Sequence, residues 1–332
     1  GTTVTTGTLD MSDKQPSNWQ QAIDGEWHGC PSLFEHDGTW VGTNKVSRAS
    51  EFKDGRTTYW METRFDAAGP LMDRFEIGAR MEFGVIDSDQ DRIYTGPDFV
   101  GSGRPFGLLV DSRYYSPGWN VDLRTVNHVV PELGLQVYSS QLFEADTLVG
   151  VFNGLYVVTQ DHDTNTDTQK MVADFLEKEK IDGKRPFNLP VKHEGVFRGK
   201  FEVYNDQQEL MGHNKVTIHH RPINLLHSEQ TIELEGVINH KWTAMRTRNG
   251  NSHQFHGPEM FGNGKSYGRY LYSIRHVFGE AFKLWSRETV VDEDYTMVCA
   301  WQFLESQKER FTTFGALRFE PGENVLAATY VD

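Results

Sequence analysis

The sequence predicts an all-β protein: two tandem antiparallel β-barrels from an internal duplication, joined by a linker with one helix. Three observations lead there. Short segments rich in β-branched and aromatic residues, bounded by Gly, Asp, Asn or Pro, run along most of the chain. Turn signals such as His36-Asp37-Gly38, Lys53-Asp54-Gly55 and Arg248-Asn249-Gly250 recur about every 8–12 residues, a spacing that suits a barrel or sandwich. The chain also repeats itself. Gly25-Glu26-Trp27-His28-Gly29 stands 170 positions before Gly195-Val196-Phe197-Arg198-Gly199, and Gly42-Thr43-Asn44-Lys45-Val46 the same distance before Gly212-His213-Asn214-Lys215-Val216. An offset of 161 joins Gly101-Ser102-Gly103-Arg104-Pro105-Phe106-Gly107 to Gly262-Asn263-Gly264-Lys265-Ser266-Tyr267-Gly268, and Gly154 to Gly315.

The elements follow in order. Residues 1–24 form an N-terminal segment with a short helical turn from Ser17 to Ile23, capped by Ser17 or Asn18. Barrel 1 occupies 25–158, with strands such as Thr57–Thr63 and Leu135–Ser139. The fall from 170 to 161 means nine fewer residues in the second copy, expected in the loop after Arg64. The linker, 159–194, holds an amphipathic helix with Met171, Val172, Phe175 and Leu176 on one side and Gly183 beyond it. Pro186 and Pro190 bracket the entry into barrel 2, 195–332, where Phe201–Tyr204 reads as a strand.

Composition narrows the function classes. The 33 Lys+Arg against 47 Asp+Glu leave a formal charge of −14, and no basic stripe offsets it, which argues against nucleic acid as a partner. No run approaches the ~18 apolar residues of a membrane span. The N-terminus shows no secretory leader, but Gly1 in place of Met suggests a trimmed or processed start, so the missing leader says little about compartment. A soluble protein, cytoplasmic or secreted after processing, is expected, with the compartment left open. Cys30 and Cys299 are too few for a disulfide framework or a four-Cys zinc site and read as buried free thiols.

Conventional catalytic motifs are missing: there is no nucleophile elbow with a matching triad order and no Walker loop. Gly101-Ser102-Gly103 reads as a structural turn because its repeat is Gly262-Asn263-Gly264. His253 and His256, with His213, His219 and His220 upstream, read as a solvated rim loop rather than a metal centre, since zinc needs convergent ligands. Asp87-Ser88-Asp89-Gln90-Asp91 lacks the glycine and terminal glutamate of a calcium loop and reads as an acidic hairpin. Neither a metal nor a cofactor is expected.

The informative signal is polar and aromatic density on strands. In copy two, Arg269, Leu271, Ser273 and Arg275 alternate with Tyr270, Tyr272, Ile274 and His276; in copy one, Leu108, Val110, Ser112 and Tyr114 alternate with Leu109, Asp111, Arg113 and Tyr115. Parity alone does not say which row faces inward. The candidates chosen are Tyr272, His276 and Arg287 as catalytic residues and Trp285, Arg113 and Tyr115 as substrate-binding ones. Tyr, Arg and His can polarise a carbonyl or move a proton, and aromatic walls hold an apolar ligand.

A helical turn followed by Gly25-Glu26-Trp27, echoed by Gly195-Val196-Phe197, resembles the signature of the calycin (lipocalin-like) barrels, in which the aromatic residue plugs the barrel end. The stretch from Phe106-Gly107-Leu108-Leu109-Val110-Asp111-Ser112 through Leu133-Gly134-Leu135-Gln136-Val137-Tyr138 is similar to an uncharacterised calycin group common in cyanobacteria. The two-barrel layout also resembles natural-product pericyclases, both fungal hetero-Diels–Alderases and decalin-forming Diels–Alderases. No catalytic motif of theirs matches residue by residue, so no site is carried over. The resemblance implies a terpenoid- or polyketide-like apolar ligand and, as the first expectation, a cofactor-independent cyclisation. A non-catalytic carrier of a pigment, lipid or tetrapyrrole is the alternative.

Overall fold

The structure, a computed structural model, describes residues 14–74, 78–158, 164–181 and 187–326. Barrel 1 follows α1 (Asn18–Ile23) and comprises β1 (Gly25–Gly29), β2 (Ser32–Glu35), β3 (Trp40–Lys53), β4 (Arg56–Ala67), β5 (Arg80–Ile86), β6 (Arg92–Thr95), β7 (Val100–Phe106), β8 (Leu109–Ser116), β9 (Val121–Val130), β10 (Leu135–Glu144) and β11 (Thr147–Val158). The linker helix α2 (Thr166–Ile181) leads to barrel 2: β12 (His193–Asn205), β13 (Leu210–Pro222), β14 (His227–Gly236), β15 (His240–Asn249), β16 (Ser252–Gly257), β17 (Met260–Tyr267), β18 (Tyr270–Val277), β19 (Phe282–Val290), β20 (Met297–Glu305) and β21 (Lys308–Val325). Pairing is antiparallel throughout, and both sheets close.

The two barrels share one plan. Both β1 and β2 pair with β3 and with β11, so they are halves of a single strand broken at Cys30-Pro31. Proline has no N–H to give the ladder. Counted as one, they correspond to the unbroken β12, and each barrel has ten strands. The connection from β4 to β5 spans twelve residues, 68–79, where barrel 2 uses three, 237–239; the difference of nine is the change in offset. Trp27 plugs barrel 1 with its indole N–H donating to Ile23 O at 2.9 Å, and Phe197 is fully buried at the matching place.

Three local readings are corrected by burial. His253 and His256 lie on β16, not in a loop, and His253 is 1% exposed. Asp87 is no free hairpin acid. It accepts the backbone N–H and hydroxyl of Ser17, the α1 cap, at 2.8 and 2.6 Å, and so docks the helix on the barrel end. Cys299 is buried as expected, whereas Cys30 keeps part of its surface exposed.

The barrels meet through apolar contacts and a strap. Phe106 and Leu109 of barrel 1 pack with Tyr204 and Phe314 of barrel 2, and Phe34 and Val151 with Tyr267 and Tyr270. Helix α2 inserts Val172 and Phe175 among Val130, Leu135 and Val157 on one side and Val291 and Val298 on the other. Its buried Glu179 accepts the amide of Asn153 in barrel 1 and, at 3.1 Å, the backbone N–H of Arg269 in barrel 2. The adjoining Gly268 has φ +59°, and a Cβ there would collide with the Glu179 carboxylate. Gly268→Ala is expected to cost about 1–3 kcal/mol, through left-handed strain plus displacement of the strap. Gly250 shares that φ, and nothing lies within 4 Å of where its Cβ would be. Gly250→Ala is therefore the control. Equal urea midpoints for the two variants would remove the collision from this account.

His128 of β9 is buried at this interface, edge-on to Phe314 at 5.0 Å between ring centres. Burial lowers its pKa from 6.5 to about 3. The folded state therefore holds a neutral imidazole while the unfolded chain takes up a proton near pH 6.5. The contribution is complete above that pH and is lost as pH falls toward 3. Between pH 7 and 5 this amounts to about 2 kcal/mol. Urea unfolding at the two pH values should show His128→Leu with a shallower loss than the parent; equal losses would refute the assignment.

Candidate functional site

Barrel 1 is hollow at its centre and barrel 2 is filled there, and the duplication shows why. At the centre of barrel 2, Phe201 and Trp301 meet at 5.2 Å within a continuous apolar core. The corresponding positions of barrel 1, by the offsets 170 and 161, are Pro31 and Ser140. Two large rings are thus replaced by two small residues. The cavity left in barrel 1 has a volume of about 130 Å³ and opens at its mouth.

Strand alternation builds the wall. Inward positions are the even residues of β3, the odd ones of β4, β5 and β9, and the even ones of β8 and β10. Aromatic rings run around it in edge contacts: Tyr59–Tyr94 and Tyr94–Tyr114 at 5.7 Å, Phe99–Trp119 at 6.2 Å, Trp119–Phe152 at 5.1 Å and Tyr138–Tyr156 at 5.7 Å. Trp19 and Ile23 of α1 close one end.

Into this wall the chain places one guanidinium that no carboxylate answers. Arg48 lies 3.9 Å from the centre of the Tyr156 ring and 5.8 Å from that of Tyr138. It donates to Asn127 Oδ1 at 3.0 Å and to Gln136 Oε1. Protein encloses it, yet part of its surface faces the cavity. Among the described residues it has no ion-pair partner. Arg92 of the same barrel is the contrast: its Nη1 meets Asp87 at 2.8 Å, its Nη2 donates to Ser50 at 2.9 Å, and its Nε donates to the Tyr94 hydroxyl. Asn44 adds an acceptor. Its Oδ1 is buried, lines the cavity and has no partner among the described residues. The repeat residue Asn214 spends both ends of its amide on Ile238, at 2.6 and 2.9 Å.

The cavity supplies donors and no base. Burial first of all raises the phenols of Tyr94, Tyr114, Tyr138 and Tyr156, with Tyr138 at about 12, so all four keep their protons at neutral pH. No Asp, Glu, His, Lys or Cys lines the cavity among the described residues. The chemistry on offer is enclosure, stacking and hydrogen-bond donation to a ligand oxygen.

None of the six residues singled out from the sequence lines this cavity. Arg113 and Tyr115 lie on the outward row of β8, both exposed, with Tyr115 donating to Asn120 at 3.1 Å. Tyr272 and Arg287 are cross-strand neighbours on the outside of barrel 2, turned toward barrel 1. There Arg287 meets Asp111 at 3.4 Å, while Gln302 donates to the other Asp111 oxygen at 3.1 Å. His276 and Trp285 share that outward surface, with the Lys283 ammonium 5.8 Å from the Trp285 ring. Thus Tyr272 and Arg287 come together at the barrel junction against Asp111, whose outward row on β8 continues into the exposed Arg113 and Tyr115. The signal for Arg48 was in the repeat: its counterpart at offset 170 is Ile218, so a charge stands where copy two keeps an apolar inward residue.

No family model matches the chain, and no curated protein matches it. Among solved structures it is similar to a protein of unknown function from the DUF3598 family of Nostoc punctiforme, with TM-score 0.52 and 13% identity over 92% of this chain and 99% of that one. That likeness is one of fold, a double calycin-like barrel. A candidate outer-membrane protein of Bacteroides fragilis shares 10% identity at TM-score 0.24, over 92% of this chain and all of that one. A candidate AttH protein of Nitrosomonas europaea shares 8% at 0.15, over 88% and 91%. No helix among the described residues is long and apolar enough to cross a membrane. A barrel of this kind suits the binding of a small molecule.

Proposed function

We propose that barrel 1 binds an apolar, unsaturated small molecule whose carboxylate or carbonyl oxygen is received by Arg48. The observation that carries this reading is the unanswered guanidinium inside an aromatic cavity. Enclosing a charge is costly unless a partner meets it, and a ligand oxygen is the partner the geometry leaves room for. Asn44 Oδ1 then takes a ligand donor, such as a hydroxyl. Tryptophan fluorescence titration with geranic acid, geraniol and myrcene tests this, since Trp19, Trp27 and Trp119 line the cavity. The acid should bind most tightly and the hydrocarbon least; equal affinities, or no quenching by any of them, would overturn the reading.

Catalysis is the finer form of the same proposal. A site with phenol and guanidinium donors but no base suits a reaction that moves no proton, which favours a Diels–Alder or hetero-Diels–Alder cyclisation over dehydration or hydrolysis. Orientation lowers the barrier of such a reaction, and a donor on the carbonyl polarises the heterodiene or dienophile. A linear triene bearing an enone is the probe. A stereochemically biased product formed faster than in buffer supports an enzyme; a racemic product at the buffer rate leaves a carrier of a pigment, lipid or tetrapyrrole.

A further inference from the structure

We infer that the end of barrel 2 covered by Phe187–Pro190 is a second binding site, built for a small oxyanion around Arg246. The inward row of β15 runs Trp242, Ala244, Arg246, Arg248, turning from apolar to cationic toward this end. A separate cavity of about 160 Å³ opens there. Its wall combines Arg246 and Arg248 with Leu189, Leu225 and Leu226.

Charge balance points to the missing component. Three guanidiniums of barrel 2 are buried among the described residues, and Arg269 meets Glu293 at 3.4 Å; that leaves Arg246 and Arg275 against one buried carboxylate of the barrel, Glu288. Glu288 is occupied by Arg275 at 3.1 Å and by the Ser286 hydroxyl at 3.3 Å. Arg246, 5% exposed, donates instead to His253 Nδ1 at 3.0 Å, and among the described residues no carboxylate reaches ion-pair distance. Burial lowers its pKa to about 9, so it is still charged at neutral pH. The histidines cannot supply the counter-charge. His253 accepts from Arg246 on one nitrogen and lies 3.1 Å from Ser266 Oγ on the other, and His220 sits between Pro190 O at 2.6 Å and Gln230 at 3.2 Å. Burial lowers both imidazole pKa values, that of His220 to about 4, so both are neutral at pH 7.

The duplication gives the internal comparison. His253 stands at the repeat position of Arg92, by the offset 161, and the same end of barrel 1 is shut by α1 with the Asp87 carboxylate paired to its guanidinium. Barrel 2 keeps a buried guanidinium at that end with no carboxylate paired to it among the described residues. An external carboxylate or phosphate group replaces it, its apolar body resting on Leu225 and Leu226. Guanidinium forks match both oxyanions, so the ligand class is a short organic acid or a phosphate.

Isothermal titration of the full chain with butyrate, benzoate and inorganic phosphate tests the site, in the parent, Arg246→Gln, Leu226→Trp and Arg48→Leu. Saturable heat is expected with at least one probe, kept in Arg48→Leu and at least about tenfold weaker in both Arg246→Gln and Leu226→Trp. The preferred probe assigns organic acid or phosphate. Should Arg246→Gln fail to fold, Leu226→Trp, which blocks the mouth and leaves the charges intact, decides alone. No saturable heat with any probe, undiminished binding in Leu226→Trp, or loss of binding in Arg48→Leu would each overturn the proposal, the last by assigning the heat to barrel 1.

Discussion

Replacing Arg48 by leucine is expected to weaken acid binding by about 2 kcal/mol or more, at least about 30-fold, without lowering the unfolding temperature. The two halves of this outcome have one cause. Among the described residues of the ligand-free protein, Arg48 is enclosed with neutral groups: the acceptors Asn127 and Gln136, the Tyr59 hydroxyl and the faces of Tyr138 and Tyr156. Leucine removes an enclosed charge and fills much of the same space, which leaves the fold as stable or more so. With ligand bound, the same substitution leaves a carboxylate enclosed without a counter-ion. Calorimetric unfolding together with fluorescence titration by geranic acid gives both numbers. A lower melting temperature with unchanged affinity would assign Arg48 a purely structural role.

The opposite result is expected at Arg92. Here guanidinium and carboxylate are both buried, and Asp87 also holds the α1 cap through Ser17. Arg92→Leu strands the Asp87 carboxylate and should cost about 3–5 kcal/mol, the usual penalty for breaking one side of a buried pair. The double variant Arg92→Leu with Asp87→Asn should recover part of that loss, because the stranded charge is gone. Urea unfolding of the single and double variants checks it; equal costs would place the loss in packing rather than charge. These two outcomes together would separate an arginine that serves a ligand from one that serves the fold.

Much of the architecture was legible in the chain because it was written twice. Glycines at fixed offsets marked the same turns in both copies, and Gly107 and Gly268 do occupy matching left-handed turns at φ +60° and +59°. The nine-residue difference lies between β4 and β5. Site residues were less legible. On β8 and β18 both alternating rows contain aromatic and charged residues, so composition does not mark the inward one. The row holding Tyr272 and His276 faces outward because Leu271, Ser273, Arg275 and Val277 fill the inside. Asp87 read as a surface acid because its partners, Ser17 and Arg92, are joined to it only when the helix closes the barrel.

The sequence by itself determined the duplication, the antiparallel barrels and the linker helix, because turn glycines, strand alternation and amphipathic spacing are local properties. Which barrel is hollow was decided only in three dimensions. It depends on four residues from four strands or strand breaks, Pro31 and Ser140 against Phe201 and Trp301, filling or not filling a common centre. The same holds for Arg48. Its charge is visible in the chain, but the lack of a carboxylate around it emerges only when β3, β9, β10 and β11 are brought together.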